Sequence, residues 1–92
     1  KTMIPMRGTL KPLEKMRFDR MVSHPGEEFL MVLSGRVVVQ LEGAEDVVLD
    51  QGDSMYFDSG RGHLYAAEGT GEARILVVCA GLADDGTETP AA

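Results

Sequence analysis

His24 and Glu28 are separated by three residues, and Glu28 opens an apolar run, "FLMVL", that closes at Gly35. The only other histidine, His63, lies at the end of a second glycine-punctuated stretch, "GDSMYFDSGRGH", eleven residues after Gly52. Two imidazoles and a carboxylate make the donor set of many iron and zinc sites, because neutral nitrogen and anionic oxygen suit borderline cations. The same three groups also satisfy one another as a buried hydrogen-bonded cluster with no metal.

The rest of the chain must bring these residues together. Ninety-two residues with 43% hydrophobic content make one domain. Eleven glycines and four prolines imply short strands and tight turns. Segments 29–33, 36–42, 45–50, 53–58, 63–67 and 73–79 read as strands separated by turn residues. In "RVVVQLE" strict alternation puts Val37, Val39 and Leu41 on one face. "GTLKP" reads as a further strand with Pro5 and Pro12 as breaks, and 13–22 fits a helix or a strand about equally. Evenly spaced short strands predict an all-β sandwich or barrel. Residues 1–81 form this domain, and the polar, aperiodic 82–92 a flexible tail.

A net charge of −6 argues against a grip on a phosphate backbone. No apolar run is long enough to span a membrane, and no signal peptide opens the chain. The single cysteine, Cys79, cannot form an internal disulfide and fits a reducing cytoplasm. It reads as a buried core thiol, with a ligand role as the less favoured alternative.

With these elements in place the chain resembles the cupin family, small double-stranded β-helix (jelly-roll) barrels. His24, Glu28 and Gly35 match the later part of the family's first motif, and Gly52, Gly60 and His63 match its second. Asp58 replaces the second motif's proline, and a side-chain cap on the turn before Gly60 takes over its role. Val22 stands where metal-binding cupins carry another histidine. The resemblance implies a divalent metal (zinc, iron, manganese or nickel) held by His24, Glu28 and His63, with affinity reduced by Val22.

Period 2 then extends a pocket for a small-molecule effector to Tyr65, on the face of His63, and to Leu30 and Val32, on the face of Glu28. Arg61 is the candidate to reach a ligand carboxylate at the mouth, against the alternative of a solvated loop arginine.

"GEEF" and the Asp58-Ser59 departure are more closely similar to the C-terminal sensor domain of lambda-repressor-like (Xre-type) helix-turn-helix transcriptional regulators. That implies a homodimer, with apolar Met16, Phe18 and Met21 offered to the partner. It also implies DNA contact only through N-terminal helices that are not in this chain, which starts at Lys1 rather than Met. On this reading the domain senses a ligand and catalyses nothing. The alternative is a stand-alone metal-dependent cupin enzyme, a dioxygenase or isomerase.

Overall fold

The computed structural model describes residues 3–12, 21–81 and 89–90. Its strands are β1 (Met3–Leu10), β2 (Val22–Ser23), β3 (Glu27–Ser34), β4 (Arg36–Leu41), β5 (Val47–Asp50), β6 (Ser54–Asp58), β7 (His63–Ala67), β8 (Ala73–Ala80) and β9 (Thr89–Pro90). They form two antiparallel sheets, a four-stranded one ordered β1-β8-β3-β6 and a five-stranded one ordered β5-β4-β7-β2-β9. This is the all-β jelly roll expected from the sequence. No helix among the described residues is long and apolar enough to cross a membrane.

Alternation along each strand turns alternate side chains into the space between the sheets. Val37, Val39 and Leu41 are buried, as are Ala73, Ile75, Val77 and Cys79 on β8. Leu30, Val32, Val37 and Val39 are at most 1% exposed, and burial of each such side chain contributes roughly 1.5–3 kcal/mol. Pro5 does not break β1. It pairs with Val78 inside the strand, and β1 is a sheet edge, where a missing N–H is tolerated.

The ladder registers stack the interior in rows. At one end of the four-stranded sheet, Glu28 lies opposite Phe57 on one side and Cys79 on the other. At the facing end of the other sheet, His63 lies between Leu41 and Val22. The next row inward holds Leu30 beside Val77, with Val39 beside Tyr65 opposite. The 13–20 segment, with Met16 and Phe18, lies outside the described residues. Of the segment read as a tail, Thr89–Pro90 runs antiparallel to Val22–Ser23.

Candidate metal centre

Two loops build the end of the barrel. Asp58 caps its turn by accepting a hydrogen bond from the Gly60 N–H at 2.8 Å. The next residue, Ser59, clamps the turn that carries His24: the His24 N–H donates to the Ser59 carbonyl, and the Ser59 N–H to the Gly26 carbonyl, each at 2.9 Å. His24 is thereby held over the start of β3, one turn away from Glu28.

His24, Glu28 and His63 are all buried, between 1% and 3% exposed, although all three are polar. They meet at one atom. Glu28 Oε1 lies 3.0 Å from His24 Nε2, 3.5 Å from His63 Nε2 and 3.6 Å from Cys79 Sγ. The other carboxylate oxygen, Oε2, accepts a 2.8 Å hydrogen bond from the Tyr65 hydroxyl. The two imidazole rings meet edge to face at 5.3 Å, and His63 is further fixed by Phe57, edge to face at 5.0 Å.

The tautomer of His63 follows from its other nitrogen. Nδ1 lies 2.8 Å from the Arg61 carbonyl and donates its hydrogen there. Nε2 then faces the carboxylate, giving it a hydrogen bond when it carries a proton and offering a lone pair to a cation when it does not. A backbone carbonyl holding the far nitrogen is the usual support of a metal-binding imidazole.

Burial pushes the Glu28 carboxyl up, but hydrogen bonds from His63 and Tyr65 and the fields of both histidines outweigh it. The net result lies below the ordinary 4.5. At neutral pH the site holds a buried anion flanked by imidazoles, and a divalent cation fits that donor set.

Val22, the residue in the vacant histidine slot, is the direct ladder partner of His63. With His63, Leu64 and Tyr65 it lines a half-open cleft of about 130 Å³. Leu30 and Val32 lie deeper, in the apolar core. Arg61 is held at the rim, as the solvated loop arginine alternative had it. Its Nε donates to the Glu42 carbonyl at 2.7 Å on the exposed side, and its own carbonyl is what it contributes to the site.

The sequence reading held a ligand role for Cys79 only as the less favoured alternative, and it missed the contacts of Cys79 and Tyr65 with Glu28. The alternation in "ARILVVC" turns Cys79 inward, and that signal was available. Its position opposite Glu28 is a matter of register.

The two-sheet barrel is a jelly roll with a buried polar cluster at one end, and His24, Glu28 and Cys79 within it are placed compatibly with a divalent metal. The cupin-domain family profile matches residues 9–79, and the chain belongs to the cupin family. No curated protein matches the sequence.

Among solved structures, iron(II) HppE in complex with substrate is 26% identical with a TM-score of 0.70, over 85% of this chain and 45% of that one. Hydroxypropylphosphonic acid epoxidase from S. wedmorenis, in complex with fosfomycin, gives 26%, 0.70, 85% and 43%. A structure of the DMSP lyases RdDddP and RnDddQII is 21% identical with a TM-score of 0.77, over 98% of this chain and 44% of that one. The last likeness shows the fold alone. The chain spans less than half the length of these structures. Because the chain is similar to cupin enzymes, the sequence expectation of a non-catalytic domain is set aside.

Proposed function

We propose that this chain is the metal-holding cupin domain of a divalent-metal-dependent enzyme acting on a small molecule in the cytoplasm. The observation that carries the reading is the convergence of both histidine Nε2 atoms on the ionised, buried Glu28 carboxylate. The 26% identity to iron(II) HppE supports it.

The side chains divide the work. His24 and His63 present nitrogen lone pairs, and Glu28 neutralises charge. The Tyr65 hydroxyl fixes the carboxylate through Oε2 and borders the cleft, where its oxygen can also accept a hydrogen bond from a substrate hydroxyl. A divalent metal bound there supplies a Lewis-acidic centre, and iron(II) adds one-electron chemistry with oxygen.

Among the described residues the cleft is lined by Val22, Leu64 and Tyr65 beside His63, and these suit a small hydroxyl- or carbonyl-bearing substrate with an apolar part. The small-molecule effector of the regulator expectation becomes a substrate in this reading.

The test loads the protein with iron(II), manganese, nickel, zinc or cobalt(II) and follows conversion of a panel of small hydroxy and carbonyl compounds by mass spectrometry. Conversion that needs metal and is lost in His63→Ala supports the reading. Metal binding with no conversion across the panel counts against it.

We also propose a homodimer through the edge strand β1, where Met3 and Met6 are 71% and 45% exposed. Sedimentation velocity should show two chains per particle, and a monomer at high concentration would refute this.

A further inference from the structure

We propose that Cys79 is a fourth protein donor to the metal, bound as a thiolate and supplying the ligand that Val22 cannot; the proposal rests on the metal reading above. Three observations carry it. The first is position. Cys79 is the ladder partner of Glu28 on β8, and partners across a ladder project to the same face. Its sulfur is buried, 3.6 Å from Glu28 Oε1, and His24, Glu28 and Cys79 offer donor atoms that all lie within 4.8 Å of one another.

The second is spacing. Tetrahedral bonds of about 2.0–2.1 Å to nitrogen, 2.0–2.2 Å to oxygen and 2.3 Å to sulfur hold neighbouring donors about 3.3–3.7 Å apart, the longer values to sulfur. The separations from Glu28 Oε1 are 3.0 and 3.5 Å to the two nitrogens and 3.6 Å to the sulfur. The three separations that share Glu28 Oε1 are thus near the size a bound metal needs, and His24, Glu28 and Cys79 form the tightest part of the set.

The third is charge. The donor side chains are buried, and an uncompensated buried charge is costly. A divalent cation with two neutral imidazoles and one carboxylate leaves one positive charge in excess, and a thiolate removes it. On binding, the S–H bond breaks, a sulfur–metal bond forms and the proton leaves to solvent. Val22, opposite the sulfur-bearing sheet, then leaves an apolar wall on the cleft side, where a substrate rather than a protein ligand approaches.

Because Cys79 is the only cysteine in the chain, a thiolate signal has one source. The experiment is titration of the protein with cobalt(II) in thiol-free buffer, followed by absorption. A near-ultraviolet thiolate-to-cobalt charge-transfer band should grow together with the visible ligand-field bands and saturate at one equivalent. In Cys79→Ser the charge-transfer band should vanish while the visible bands persist. Calorimetry in buffers of different ionisation enthalpy should show about one fewer proton released by the variant, the proton of one thiol.

Visible bands without a charge-transfer band in the wild type would overturn the thiolate and leave the His-Glu centre standing. Absence of any cobalt binding would overturn both.

Discussion

Replacing Glu28 with glutamine lowers the affinity for cobalt(II) or zinc on the order of a hundredfold, about 2.8 kcal/mol at 1.4 kcal/mol per tenfold. The expectation follows from the position of one atom. Glu28 Oε1 is the common neighbour of His24 Nε2, His63 Nε2 and Cys79 Sγ, so it is the hub of the donor set as well as its resident anion. Glutamine keeps the shape and an oxygen for the Tyr65 hydroxyl but removes the charge.

His63→Ala removes one neutral donor and should cost about tenfold or more. Tyr65→Phe removes only the hydrogen bond to Oε2 and should cost less. Calorimetric titration of the three variants, with circular dichroism to confirm folding, checks the order Glu28, then His63, then Tyr65. Equal affinity in wild type and Glu28→Gln would place the metal elsewhere.

What could be read from the sequence divides along physical lines. Strands β3 to β8 were legible because each has one buried face, and burial imposes period 2 on the residues themselves. "RVVVQL" and "ARILVVC" state their inward faces without any partner. The convergence of His24, Glu28 and His63 was legible because both motifs hold glycines at turn spacing on either side of the donors.

β1 was harder. As an edge strand it is half exposed, with Met3, Pro5 and Met6 outward, so its pattern is weak and Pro5 looks like a break. Cys79 was legible as inward-facing but not as a neighbour of Glu28, since register links residues 51 positions apart and no local pattern encodes it. Arg61 was legible only as a choice between a mouth contact and a solvated loop arginine, because the direction of its side chain is set by a carbonyl at Glu42, outside its own loop. The Asp58-Ser59 signature does not discriminate between functions for a related reason. It describes the clamp that holds His24 in place, and a sensor and an enzyme need that clamp alike.

That clamp leads to the second large effect. Gly26→Ala should destabilise the protein by about 4 kcal/mol and weaken metal binding, although residue 26 carries no donor. Its φ is +103°, a region that a side chain occupies only at a cost of roughly 1–3 kcal/mol. Space is the larger problem. A Cβ at Gly26 would sit 2.0 Å from the Ala80 carbonyl oxygen and 2.9 Å from that of Gly81. Both are backbone atoms that cannot swing aside, so either the turn or the end of β8 must move.

Movement of the turn breaks the two 2.9 Å hydrogen bonds to Ser59 and carries His24 away from Glu28. Movement of β8 displaces Cys79. Gly52→Ala is the matched control. Gly52 has a similar φ of +89° but nothing within 4 Å of its added Cβ, so it should lose only the backbone term, about 1 kcal/mol, and bind metal as the wild type does. Urea unfolding and cobalt titration of both variants decide it. If the two glycines cost the same, the close approach of the His24 turn to the end of β8 is not what holds the centre together.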